Sequence, residues 1–254
     1  MTPLLEIRNL RKSFGGLKVT DDVSFSLAVG ARTALIGPNG AGKTTLINLM
    51  TGLLKPSSGT VHLGGRDITR ASAVERVRAG LVRSFQVTRL FQEMTAEDHL
   101  GLAILQREGR TGRLAGHYHA MPAVMAEVRA LLDLLGLGAL AERRVSEIAY
   151  GQQRLLELSL ALAMKPKVLL LDEPAAGVPQ SDTALIEGAI AALPADLAVL
   201  MIDHDMDLVF RFAREVVVLA AGQVIFSGPP AEVGSHPRVR EAYLGSHGHA
   251  GHAA

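Results

Sequence analysis

The stretch LIGPNGAGKTTLINLM, Leu35 to Met50, decides the fold. Gly37, Pro38, Asn39, Gly40, Ala41, Gly42, Lys43 and Thr44 fit G-x-x-x-x-G-K-[ST] at each fixed position. Glycine lets the backbone take positive φ and approach a phosphate with no Cβ in the way. The N–H groups of Gly40, Ala41, Gly42 and Lys43 can then converge as an anion nest. The Lys43 ammonium can reach β- and γ-phosphates, and the Thr44 hydroxyl can ligate Mg²⁺, with Thr45 behind it. A Gly-rich turn can match such a pattern by chance, but the flanks supply the context the motif requires. RTALI, Arg32 to Ile36, reads as a strand entering the loop. Thr45 to Met50 reads as the helix leaving it, stopped by Gly52 and Pro56. A nucleoside triphosphate is the expected ligand.

The rest of the chain bounds what is done with it. There are 254 residues, 48% of them hydrophobic, enough for one sizeable core or two small ones. With 26 basic and 25 acidic side chains and no block of one sign, a nucleic-acid groove is not expected. With no cysteine, disulfides, thiol nucleophiles and cysteine-ligated metals are excluded. MTPLLEIRNLRKSF lacks an apolar core of signal-peptide length, and no window approaches 18 uninterrupted apolar residues.

LLEIRNL, DVSFSLAVG and GTVHLGG read as strands near the N-terminus. Ser72 and Glu75 form a capping box for a helix ending near Gly80, with Leu81 to Phe85 as a buried strand. From about Thr95 to Met164 the pattern turns helical, with Val124, Val128, Leu131, Leu132 and Leu135 on one face. KVLLLDEP and LAVLMIDHD are apolar runs that end in acids and suit central parallel strands. VVVLAAGQVIFSG reads as a hairpin around Gly222. Ser246 to Ala254 is expected to be a disordered tail. Its His247, His249 and His252 are metal-competent by type, but a solvated tail is the simpler reading.

Asp172 is 129 residues beyond Lys43 (172 minus 43). Standing at the end of an apolar strand, it suits Mg²⁺, held directly or through water. Glu173 would polarise the attacking water. His204, after the next apolar strand, would contact the γ-phosphate or that water. Gln86 offers its amide to metal or water. Phe14, in RKSFGG, presents an aromatic face for adenine, although a core phenylalanine is the plainer alternative.

In this order and spacing the residues resemble the ATP-binding subunits of ABC transporters, from Leu4 to about Gly245. The pieces are Phe14, Gly37 to Thr44, Gln86, the signature Ile148-Ala149-Tyr150-Gly151-Gln152, Asp172-Glu173 and His204. GLVRSFQVTRLFQEMTAEDHL, AYGQQRLLEL, LDEPAAGV, IDHDMDLV and REAYLG are most similar to the ATPases of branched-chain amino-acid importers. The resemblance implies an α/β fold: a P-loop NTPase (RecA-like) parallel-sheet core, an N-terminal antiparallel β subdomain and an inserted α-helical subdomain. Its boundaries are expected at 1–245, with core 1–90 and 166–245, helical subdomain about 91–165, and tail 246–254.

It implies ATP and Mg²⁺, a head-to-tail dimer with a second ABC ATPase, transmembrane permease subunits, indirectly a solute-binding protein, and no nucleic acid. The chain would sit at the cytoplasmic face of the membrane, with the permease docking on about Val87 to Met94. Lys43, Gln86, Glu173 and His204 would act in hydrolysis. Ala149, Tyr150, Gly151 and Gln152 would face the partner's ATP. Two departures stand out. Ala149 replaces the serine of the usual L-S-G-G-Q, and Pro179 occupies the place of an interface aspartate, with Asp182 displaced from it. Other solutes remain open: other amino acids, amides or organic acids. A ribosome- or DNA-acting ABC ATPase would carry two modules or a long coiled coil, and a small-molecule kinase would have no use for the signature or His204. An inactive ATP-gated module would not need Lys43, Asp172, Glu173 and His204 together.

Overall fold

The computed structural model describes residues 3–84, 90–110 and 118–247, with only the backbone for 244–247. Gln86, residues 87–89 of the expected docking segment, and 248–254 lie outside these. In chain order the strands and helices are β1 (Leu5–Phe14), β2 (Leu17–Leu27), β3 (Arg32–Ile36), α1 (Lys43–Thr51), β4 (Ser58–Leu63), β5 (Arg66–Asp67), α2 (Ala73–Ala79) and β6 (Leu81–Arg83). Next come α3 (Ala96–Arg107), α4 (Pro122–Leu134), α5 (Tyr150–Ala163), β7 (Val168–Asp172) and α6 (Gln180–Ala191). The chain closes with β8 (Ala198–Ile202), α7 (Met206–Phe212), β9 (Glu215–Ala220), β10 (Gln223–Gly228), α8 (Pro230–Val233) and α9 (Pro237–His247).

Two compact units result. The first takes the described residues of Met1–Leu81, Lys167–Leu171 and Ala195–Ala254. It holds an antiparallel sheet of order β2-β1-β4-β5. A second sheet has the order β10-β9-β3-β8-β7-β6, with β3 parallel to both β8 and β9. The apolar runs of β7 and β8 are buried at every position and lie inside that sheet, as strands covered on both faces must be. Each such Val or Leu contributes about 1.5–3 kcal/mol by leaving water. Leu5, Ile7, Leu46, Met50, Leu170 and Leu200 belong to one core that joins both sheets to α1. The hairpin around Gly222 is present as β9 and β10.

The Ser72–Glu75 box caps α2 as read: the Ser72 N–H donates to Glu75 Oε2 at 2.7 Å, and the Glu75 N–H to Ser72 Oγ at 3.3 Å. Arg76 of α2 is only 1% exposed. Its guanidinium donates to the carbonyls of Leu49 (2.7 Å) and Met50 (2.6 Å), in the last turn of α1. It also donates to those of Thr69 (2.8 Å) and Ala71 (3.1 Å). Orphan carbonyls at the C-terminus of α1 thus meet a fixed cation.

The second unit takes the described residues of Val82–Pro166 and Asp172–Pro194. Its helices α3, α4, α5 and α6 pack on one another, with Val124, Val128 and Leu132 as the buried face of α4. A capping box the sequence reading passed over, Thr95 with Asp98, opens α3. Tyr118 lies against Gly101, where any Cβ would fall 2.5 Å from the ring, and donates to Asp98 Oδ1 at 2.5 Å. Burial, and then the Asp98 carboxylate, push the Tyr118 phenol well above its ordinary range. At the C-terminus α9 continues through Ser246 and His247, so a tail can begin no earlier than residue 248.

Candidate functional site: a phosphate loop and two acid-ended strands

In the first unit β3 delivers the chain into the loop, and α1 begins at Lys43, two residues earlier than the sequence suggested. Gly40 and Gly42 have φ of 79° and 99°, the left-handed region that favours glycine. A Cβ at Gly42 would meet the Val19 carbonyl oxygen at 2.6 Å, and one at Gly37 the Leu219 carbonyl oxygen at 2.1 Å. The loop is therefore wedged between β2 and the β9–β10 turn, and the Gly222 N–H donates to the Ala41 carbonyl at 3.0 Å. On its other side the Gly37 N–H faces the phenol oxygen of Tyr243, in α9. Burial raises that phenol while the amide draws it down.

The loop fits a phosphate. The N-cap of α1 is Gly42, with no side-chain cap bond and no acid in the first turn. The backbone N–H groups and the positive end of the dipole there meet no acid of the helix's own first turn. The Lys43 ammonium lies inside the loop, donating to the carbonyls of Gly37 (2.6 Å) and Pro38 (3.1 Å).

Also in this unit, Phe14 ends β1 and is 49% exposed, which excludes the core alternative. Its ring lies 5.1 Å from the Lys12 ammonium. His204 stands in the turn after β8, its side chain 79% exposed. Asp203 beside it is 5% exposed. Its Oδ1 accepts the N–H groups of His204 (2.7 Å) and Asp205 (3.0 Å), which sets the turn. Asp203 Oδ2 is buried with no partner among the described residues. Desolvation pushes this carboxyl above its ordinary value, against the two backbone donors.

In the second unit β7 ends in Asp172, whose carboxylate is ion-paired with Arg83 of β6, three residues before Gln86. Glu173 takes φ 48°, a left-handed conformation uncommon for a residue with a Cβ. Arg154 of α5 holds that corner by donating to the carbonyls of Glu173 (3.2 Å) and Pro174 (3.4 Å). Its own charge is matched by buried Glu157 at 2.8 Å.

The signature opens α5. Ala149 is the N-cap and supplies no side-chain cap bond, while the Gln152 amide oxygen accepts the Ala149 N–H at 3.1 Å. A Cβ at Gly151 would come within 2.9 Å of Asp182 Oδ2, and one at Gly177 within 3.4 Å of the Tyr150 hydroxyl. The segment after Pro174 therefore packs on the signature. Pro179 is the N-cap of α6.

Sequence reading missed Arg76, Arg83, Arg154, Asp203 and Tyr243. Arg76, Arg83, Arg154 and Tyr243 act on groups distant in sequence, so spacing offered no signal. Asp203, which accepts from the next two residues, was findable as the first acid after an apolar run. Among the described residues no three His, Asp or Glu side chains cluster to hold a metal.

Comparison with known proteins agrees with this geometry. A family model described as ABC transporter matches residues 20–176, and one described as branched-chain amino acid ATP-binding cassette transporter matches residues 223–249. The chain is 37% identical over 251 residues to the high-affinity branched-chain amino acid transport ATP-binding protein BraF of Pseudomonas aeruginosa, covering 96% of this chain and 98% of that protein. The probable branched-chain amino acid transport ATP-binding protein LivG of Methanocaldococcus jannaschii is 34% identical, with 95% and 97% covered. A solved structure of the ADP conformation of an ATP-binding cassette of an ABC transporter superposes with a TM-score of 0.82 at 33% identity, over 96% of this chain and all of that one (100%). With its phosphate loop, its two acid-ended strands and these relatives, the chain belongs to the ABC transporter family of ATP-binding cassettes.

Proposed function

We propose that this chain is the ATP-hydrolysing subunit of an importer for branched-chain amino acids. The observation that carries the solute class is the match of residues 223–249, because the phosphate loop alone is common to many ATPases. ATP with Mg²⁺ is the substrate, and the ion would supply charge neutralisation to the phosphates. Lys43 turns from the carbonyls of Gly37 and Pro38 to the phosphates, while the N–H groups from Gly40 to Thr44 cradle them. Thr44, Gln86 and Asp172 are the residues that would hold the ion, and Asp172 is paired with Arg83 in this structure. Glu173 takes the proton of the attacking water, and His204 steadies the γ-phosphate. Phe14 stacks on the base.

A second ABC ATPase, identical or related, closes head to tail on this one. The signature residues Ala149 to Gln152 then place the open N-terminus of α5 at the partner's ATP. Tyr150 and the backbone stand in for the missing serine hydroxyl. Pro179 leaves no acid at that interface position, and Asp182 lies beside Gly151 instead. Closure on ATP and reopening after hydrolysis drive the permease between its two states. The permease docks on about Val87 to Met94, from the cytoplasmic face of the membrane. Among the described residues no helix is long and apolar enough to cross it.

The test is affinity capture of the tagged chain from gently solubilised native membranes. Apolar multi-span subunits and an ATPase partner should co-purify, and leucine, isoleucine or valine with the binding protein should stimulate ATP turnover in that complex. Recovery of ribosomal proteins or nucleic acid would overturn the reading. Stimulation by a different solute alone would overturn its substrate half.

A further inference from the structure

Phe14 ends a strand that is pinned rather than loose. The Ser57 N–H donates to the Arg11 carbonyl at 2.8 Å, and the Ser13 N–H to Ser57 Oγ at 3.2 Å. The Lys12 ammonium donates to the Lys55 carbonyl at 2.9 Å. Residues 55–57 follow α1, so three bonds from consecutive residues tie the end of β1 to the segment that leaves the phosphate-loop helix. Lys12 and Phe14 are two apart on a strand and share a face. Held by Lys55, the ammonium stands 5.1 Å from the ring centroid, within the range of cation–π attraction. The 49% exposure of Phe14 leaves ring surface for a planar ligand.

We propose that Lys12 is a positioning residue for base recognition, in that its tethered ammonium fixes the Phe14 ring as a stacking platform. This inference rests on the reading of Phe14 as the residue that meets the base. Two physical effects act together. A ring held by a fixed cation loses little rotamer freedom when a base lands on it, so less ordering cost falls on binding. The cation also draws π density from the ring, which favours contact with an electron-rich purine. Both effects serve the base and neither acts on the phosphates. A lysine acting as an ordinary electrostatic attractor would serve the phosphates first.

The experiment separates these. Dissociation constants for ATP and for inorganic tripolyphosphate are measured by calorimetry on the full chain carrying Lys12→Met, Lys12→Arg, Phe14→Ala or the pair Lys12→Met with Phe14→Ala. Lys12→Met should weaken ATP about 2- to 5-fold, the scale of an exposed cation–π contact, and leave tripolyphosphate unchanged. Lys12→Arg should restore the ATP value, since guanidinium also binds a ring face. In the Phe14→Ala background, Lys12→Met should have no further effect. Equal weakening of ATP and tripolyphosphate by Lys12→Met would overturn the proposal and make Lys12 a phosphate attractor. So would an unchanged ATP constant beside a Phe14→Ala variant that loses ATP selectively, which leaves the Phe14 reading intact. A Phe14→Ala variant that keeps the wild-type preference for ATP over tripolyphosphate would overturn the proposal through its basis.

Discussion

Glu173 shows how much one residue here depends on its neighbours. Its carboxylate is the proposed base, its φ of 48° is uncommon, and its carbonyl is gripped by Arg154. Glu173→Gln keeps the shape and removes the base. It should bind ATP normally and release phosphate at least about 100-fold more slowly, the lower end of what a general base contributes. Size-exclusion chromatography with ATP should show the closed dimer accumulating. Turnover within a few-fold of wild type would remove Glu173 from that role. Asp203 offers a pH test. Its folded pKa is raised by burial, so its contribution to stability is fully present below the unfolded pKa and is lost as pH rises through the folded one. Asp203→Asn has no such loss. Its melting midpoint relative to wild type should therefore climb between about pH 4, the unfolded value, and pH 7. The amide in place of the orphan Oδ2 adds an offset that does not change with pH, so the slope is the readout. A flat difference across that range would show that Asp203 does not titrate as its burial requires.

At the scale of elements, α1 is the piece everything else supports. It begins at a bare glycine cap, where a phosphate is needed, and ends on the Arg76 guanidinium. Arg76→Met keeps an apolar stem of similar length and leaves the carbonyls of Leu49, Met50, Thr69 and Ala71 without their donor. The loss should be about 3–5 kcal/mol, the range for stripping one partner from a buried charged network. Urea unfolding followed by circular dichroism would measure it, and a loss below about 1 kcal/mol would show that water replaces the guanidinium. The opposite end of the loop is held by other elements: the Gly222 turn touches Ala41 and Gly42, and α9 reaches Gly37 through Tyr243.

At the scale of the whole molecule, the chain folds as two units, and a nucleotide that binds the native state alone must raise its stability. At a hundred times its dissociation constant ATP adds about 2.7 kcal/mol, worth about 5–10 °C in melting midpoint for a chain of this length. Differential scanning fluorimetry with ATP and EDTA, which blocks turnover, should show that rise in wild type and little of it in Lys43→Ala. An equal rise in both would place the nucleotide elsewhere than the phosphate loop.

Much of this was legible in the residues themselves. The strand, loop and helix around Gly37 to Thr44, the buried strands before Asp172 and His204, the Ser72 box and the hairpin at Gly222 are all local. Each is set by glycine's access to positive φ, by side-chain period, or by a polar side chain capping backbone three residues away. The surrounding supports were not legible. That Arg76 stops α1, Arg83 pairs with Asp172, Arg154 grips Glu173, Tyr243 meets Gly37 and Lys12 meets the Lys55 carbonyl depends on where elements pack. A lone arginine, lysine or tyrosine reads as surface until its partner, in most of these cases tens of residues away or more, is brought beside it. Desolvation then decides the outcome. A buried cation or carboxylate calls for partners that folding places, and only the tertiary structure shows that four carbonyls meet Arg76 while one oxygen of Asp203 has no partner among the described residues.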